Sequence, residues 1–315
     1  MQGSLALSRG LLLVGDQAKT ARVRCFDQGG RELALGFSFR DPVAGRSAVA
    51  GLVVDEDRTI LVADTPAERV RRFSFFGREV GGIGGASAEA REPILPGLVS
   101  RPVDVEVQGN RERGWIAIAC AGEQRHAVQI FDPDFTWRAT CAALGEPGRP
   151  FQDVRRLASA GELLFAAEAL ARCVQVFRSG SFLFAFRLTC ASGERYEPSA
   201  LAAVGDGRLL VGCRAPESAL FLVDGAGRPL RQLAEEGEGE GEVLVPTDVV
   251  VEQGADDRHA QVFVIDRDGL RVQVFTLEGR CLGAIPLTGD PTGGARAPFL
   301  GVASSSSPSG KKGGR

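Results

Sequence analysis

Two pairs of opposite charge are notable for their spacing: Asp64 with Arg69, and Asp266 with Arg271, each pair flanking a short connection. A carboxylate and a guanidinium so placed can lock a tight loop by ion pairing and hydrogen bonding, or can offer a charged groove to a partner. The first pair runs into ERVRRFSFFGR (Glu68–Arg78), where Arg69, Arg71, Arg72 and Arg78 interleave with Phe73, Phe75 and Phe76. Guanidinium groups for phosphates beside rings for base stacking are the vocabulary of single-stranded RNA binding. On a strand, however, Arg69 and Arg71 face one way and Val70 and Arg72 the other, which splits the basic patch. Asp64, Arg69, Arg71, Arg72, Asp266 and Arg271 are the candidate binding residues.

Groups able to carry catalysis are scarce. The two histidines, His126 and His259, sit in the polar stretches AGEQRHAVQ and GADDRHAQV, are expected to be exposed, and have no evident Ser or Cys partner. There is no G-x-S-x-G elbow. The seven cysteines (Cys25, Cys120, Cys141, Cys173, Cys190, Cys213 and Cys281) form no CxxC, and most fall in apolar runs, where a thiol behaves as a small hydrophobe. Zinc chemistry on histidine ligands is therefore close to excluded. No catalytic residue, metal ligand or cofactor is expected. A calcium site of carbonyls and carboxylates leaves no readable pattern, which keeps a metal-dependent lyase or hydrolase as a third reading.

Free thiols point to a reducing, cytoplasmic setting. A net charge of −3 gives no global attraction to a polyanion or an anionic membrane. No apolar stretch is long enough to span a bilayer. The N-terminal MQGSLALSRGLLLVGDQ lacks the order of charge, apolar run and small-residue cleavage site of a signal peptide.

The elements that hold the candidate residues are read most clearly at Val245–Ile285. Four short runs rich in Val, Ile and Phe (Thr247–Val251, Gln261–Ile265, Leu270–Phe275 and Cys281–Ile285) are separated by Gly254, Asp268-Gly269 and Glu278-Gly279. Runs this short predict strands joined by tight turns, hence a four-stranded antiparallel meander. Alone, such a sheet leaves both faces wet, so it requires copies of itself. Phe275, Gly279 and Arg280 recur as Phe26, Gly30 and Arg31, then as Phe73, Gly77 and Arg78, and in degraded form as Val223, Gly227 and Arg228. Phe131 and Phe177 keep only the aromatic. The six anchors lie roughly 46 to 58 residues apart, near the period of propeller blades. The expected fold is all-β, a six-bladed β-propeller of four-stranded antiparallel blades. It forms one domain over 1–303, with blades near 3–39, 48–83, 102–144, 153–188, 198–233 and 245–285, and a disordered basic tail at 304–315.

The run Pro246 … VFVID (Val262–Asp266) … RVQVF (Arg271–Phe275) … Gly279 resembles an NHL repeat. Ile60–Val80 matches equally well, and Leu11–Leu33 nearly so. In the weaker copies Cys120, Glu168 and Cys213 stand near the place of the second-strand Asp. The resemblance implies a propeller that binds other molecules through its loops: a protein partner first, single-stranded RNA second. Some relatives form the substrate-recognising end of ubiquitin ligases, and some similar propellers are metal-dependent or streptogramin-cleaving lyases. The loops joining second to third strands share a face with the inter-blade linkers, including Gly81–Arg101 and the acidic run Ala234–Val243. Function is expected on that face. Trp115, Trp137 and the aromatics of Phe182–Leu188 are expected to pack between blades. Pro298–Ala303 mimics the start of a repeat and offers an alternative inner strand beside the first blade, where SLALS (Ser4–Ser8) already supplies one.

Overall fold

The computed structural model describes residues 3–16, 20–85, 96–109, 114–121, 126–266 and 270–287. Their strands fall into six sheets, each formed by four consecutive antiparallel strands. Blade one comprises β1 (Ser4–Ser8), β2 (Leu11–Asp16), β3 (Ala21–Phe26) and β4 (Glu32–Phe39). Blade two holds β5 (Gly51–Val54), β6 (Thr59–Asp64), β7 (Arg69–Ser74) and β8 (Glu79–Gly84). Blade three follows with β9 (Pro102–Gln108), β10 (Trp115–Ala121), β11 (His126–Phe131) and β12 (Trp137–Cys141). Blade four contains β13 (Val154–Ala160), β14 (Leu163–Glu168), β15 (Cys173–Arg178) and β16 (Ser181–Phe186). Blade five has β17 (Pro198–Ala203), β18 (Leu209–Cys213), β19 (Ala219–Val223) and β20 (Pro229–Ala234). Blade six ends the ring with β21 (Pro246–Glu252), β22 (Gln261–Asp266), β23 (Arg271–Phe275) and β24 (Cys281–Pro286). The helix content of the described residues is two single turns, Thr65–Ala67 and Ala143–Gly145. The molecule is a six-bladed all-β propeller.

The anchor residues explain the repeat. Phe26, Phe73, Phe131, Phe177, Val223 and Phe275 are all buried near the end of the third strand. They pair across the ladder with Leu12, Ile60, Ile116, Leu164, Leu209 and Val262 of the second strand. Just beyond the anchor, the chain reverses through a turn whose last position has positive φ. Gly30, Gly77, Gly227 and Gly279 fill it at 77°, 80°, 83° and 87°, where a Cβ is strained. In blade three the same position is Phe135 at φ 69°, so the turn survives where the glycine signal does not.

Each meander is greasy on both faces, and its neighbours cover them. The buried apolar residues form one cluster at every seam between adjacent blades, including the seam of blades six and one, where Leu5, Val14 and Phe26 meet Phe263, Val272 and Ile285. Inner strands β1, β5, β9, β13, β17 and β21 contact one another in that order and back to β1. The ring thus closes on side chains, with every blade contiguous in sequence. The proposed extra strand at Pro298–Ala303 and the tail at 304–315 lie outside the described residues.

Aromatic packing is as expected in part. Trp115 packs at the seam of blades three and four, with Phe182 set 5.8 Å from the Phe177 ring, and Phe186 is buried at the next seam. Trp137, Leu183 and Phe184 instead sit on outer strands and remain 42%, 44% and 36% exposed. An outer strand has no neighbour beyond it, so side chains on both of its faces reach solvent, as the successive Leu183 and Phe184 do.

Candidate functional site

Asp64, Glu168 and Asp266 end the second strands of blades two, four and six, and all three are buried. Each carboxylate turns back to the linker entering its own blade. Asp64 accepts from the Ala48 amide at 2.9 Å, Glu168 from Gln152 at 2.7 Å, and Asp266 from Leu244 and Val245, both at 3.1 Å. Burial raises the pKa of Asp64 and Glu168, against the opposing pull of these amides. The residue two before the third-strand anchor holds the segment leaving the preceding blade. Gln129 binds both Gly97 N and Leu98 O, at 2.6 and 2.5 Å. Gln175 accepts from Leu144 N, and Gln273 from Gly241 N while donating to Glu242 O. Arg24 fills this role in blade one, donating to Leu287 O at 3.0 Å.

The candidate arginines belong to the same framework. Arg71 is 5% exposed and lies 3.4 Å from Asp64 and 2.5 Å from Glu79. The ion pair expected between Asp64 and Arg69 thus runs to Arg71 instead. Arg69 stands directly opposite Asp64 in the ladder, but it turns outward to Glu79 at 2.9 Å and Asp41 at 3.7 Å. Arg72 points to the other seam, over the Phe135 ring at 4.7 Å and bonded to Pro133 O. The basic stretch is therefore divided as strand alternation requires. Arg271 does pair with Asp266, at 3.1 Å, and also donates to Gly239 O in the acidic linker.

Neither histidine joins these groups. His259 is exposed and bonded to Asp256. His126, expected to be exposed, is partly buried in β11, because its backbone pairs with Phe151 in the linker to blade four. Burial lowers its pKa. Among the described residues no three His, Cys, Asp or Glu side chains are grouped to hold a metal ion.

No family model and no curated protein matches the chain. Solved structures do. Virginiamycin B lyase from Staphylococcus aureus is 11% identical, with 92% of this chain and 85% of that chain covered at a TM-score of 0.59. The WD40 β-propeller domain of Doa1 is 13% identical, over 90% and 82%, at 0.58. A protein of unknown function from Bacteroides caccae is 13% identical, over 88% and 94%, at 0.59. At these identities the likeness concerns the fold alone.

Sequence reading passed over the centre of the ring. The third residue of each inner strand, or its equivalent, gives the set Ser4, Gly51, Asp104, Arg156, Ala200 and Asp248. Asp104 accepts from Leu157 N in the next blade at 2.7 Å, and Asp248 from Leu5 N at 2.7 Å and Ser4 Oγ at 2.8 Å. Arg156 of blade four reaches across the ring, donating to Ala50 O at 3.0 Å and Gly3 O at 2.8 Å, with its Nε 3.2 Å from Asp248. That Nε lies within ion-pair distance but makes no aligned hydrogen bond. The signal available was Pro-x-Asp at the start of two inner strands, Pro102–Asp104 and Pro246–Asp248.

Proposed function

We propose that this propeller is a non-catalytic scaffold of the NHL-repeat kind, working in the cytoplasm and holding a protein partner on its linker face. The observation that carries the reading is the apolar tips standing on that face. Val43, in the linker to blade two, is 95% exposed; Leu170 and Leu270, in the second-to-third-strand loops of blades four and six, are 66% and 44% exposed. Around them are exposed charges of both signs, among them Arg46, Glu146, Arg149, Glu194, Arg195 and Glu240. Separated apolar anchors in a mixed-charge surround suit a protein surface. A polyanion would need accessible cations, and Arg71 and Arg72 are buried, Arg71 beside Asp64 and Arg72 against Phe135 and Pro133 of blade three. The seven free thiols fit a reducing compartment.

The test is affinity capture with the intact chain, comparing Val43→Glu/Leu170→Glu/Leu270→Glu with Phe76→Glu. Phe76 is as exposed as these residues but lies in a hairpin on the opposite face. Loss of the captured proteins in the triple variant alone is expected. Equal capture by both variants, or single-stranded RNA as the retained species, would overturn the reading.

A further inference from the structure

Of the three buried carboxylates that end second strands, two hold an arginine: Arg71 lies 3.4 Å from Asp64, and Arg271 lies 3.1 Å from Asp266. Blade six shows where such a cation sits. Arg271 faces Asp266 directly across the ladder, and its guanidinium also donates to the Gly239 and Glu242 carbonyls of the linker, at 3.0 and 3.3 Å. In blade four the residue facing Glu168 across the ladder is Cys173, whose thiol supplies neither the reach nor the charge. Both partners of the Glu168 carboxylate are neutral, the Gln152 amide and the Gln175 side chain. Among the described residues it has no ion pair, although it is only 2% exposed. Burial raises its pKa, the mark of a carboxylate that would gain from a cation nearby.

A cavity of about 190 Å³ lies against this carboxylate, lined also by Gln152, Leu144, Pro150 and Ala171. Leu144 is the counterpart of Gly241 beside Arg271, since each gives its amide to the third-strand glutamine of the next blade, Gln175 or Gln273. The cavity therefore opens in blade four at the place where blade six keeps its guanidinium. One guanidinium does border it, but Arg149 is turned to Glu146 at 2.5 Å in an exposed pair.

We propose that this cavity receives an arginine side chain of the protein partner, its planar head on the Glu168 carboxylate and its methylenes along Leu144, Pro150 and Ala171. The inference rests on the linker-face reading above, since Ala171 adjoins the exposed tip Leu170. A carboxylate has about four acceptor sites, and the two N–H contacts of Glu168 leave room for more. A guanidinium brings donors in a flat fork and no acceptor, which suits that remainder. The volume is below that of pockets for drug-sized ligands, about 300–1,000 Å³, and matches the end of one side chain.

The experiment is an amide chemical-shift titration of the full chain at neutral pH with n-propylguanidinium chloride. n-Propylurea, of the same shape without the charge, is the comparison. Expected are saturable shifts at Leu144, Gln152 and Ala171, with affinity for the urea at least about tenfold weaker. Glu168→Gln should weaken the probe about tenfold or more, and Cys173→Arg, which installs the arrangement of blade six, should abolish its binding. Both variants should also lose the captured protein. Propylurea binding as tightly, shifts confined to other residues, or no saturation up to about 50 mM would overturn the proposal. So would a captured protein that Glu168→Gln retains and Val43→Glu/Leu170→Glu/Leu270→Glu loses, an outcome that leaves the linker-face reading standing. Failure of that reading has a different mark, equal capture by the wild type and the triple variant, and it takes this proposal with it. The comparison of probe with urea uses only the wild-type chain and decides the matter even if Cys173→Arg fails to fold.

Discussion

The Asp64 carboxylate is sealed from solvent, with the Ala48 amide on one oxygen and the Arg71 guanidinium on the other. Replacing it by alanine orphans a buried N–H and strips Arg71 of one of its carboxylates. Asp64→Ala should therefore cost about 2–4 kcal/mol in urea unfolding. Arg271→Ala should cost less, about 1 kcal/mol, because Asp266 keeps both linker amides. Glu106 and Asp104 give a second prediction at this scale. Their folded pKa values, about 8 and about 7, stand above the usual carboxylate range. The folded state therefore holds more protons than the unfolded one between about pH 4 and 8, and stability falls as pH rises through that window. A Tm series from pH 5 to 8.5 should slope downward in the wild type and less steeply in Glu106→Gln, where Asp104 still titrates. Asp64, Arg69, Asp266 and Arg271 could be read from sequence as loop-fixing charges, and so could the Asp266–Arg271 pair, but the partners of Arg69 could not. Arg69 is drawn off by Asp41 and Glu79, which come from a linker and an outer strand that local spacing does not bring together.

At the scale of the strand, the repeat was legible wherever a residue does the same job in every blade. The third-strand anchor packs the same way six times, and the turn beyond it demands positive φ, so Phe and Gly recur. The copies that looked degraded lose the letters and keep the geometry, as Phe135 does in the glycine's place. The inner strands are different. Their third residues meet at one centre, where identical side chains would collide or repel, so they must be complementary and leave no repeat to find. Gly51 is the small member of that set: a Cβ built there would lie 2.6 Å from Asp104 Cα and 2.9 Å from Val105 N, against main chain that cannot yield cheaply. Gly51→Ala should destabilise by about 1–3 kcal/mol, seen as a lowered Tm, although alanine is the most conservative replacement available.

The whole ring has a weak point fixed by its connectivity. Among the described residues each blade is contiguous in sequence, so the seam between blades six and one lacks the linker that joins every other pair of neighbours; its apolar cluster, the Arg24–Leu287 bond and the central polar group hold it shut. In that group Asp248 grips Ser4 and Leu5 of blade one, while Arg156 reaches from the opposite side of the ring to Gly3 and Asp248. Removing the Asp248 carboxylate frees the N-terminal strand and leaves Arg156 without its nearest carboxylate. Hydrogen exchange of Asp248→Ala should therefore show amide protection lost first in β1 and at the start of β21, with β9 and β17 unchanged at the same time points. Arg156→Met leaves Asp104 and Asp248 without a cation and should lower stability by about 3–5 kcal/mol. The double variant Arg156→Met/Asp248→Asn should recover part of that loss, since an apolar and a neutral group replace an unbalanced charge. Additive losses in the double variant, or exchange that rises evenly around all six blades, would show instead that the seam is no weaker than its five counterparts and that the arginine acts only on its own strand.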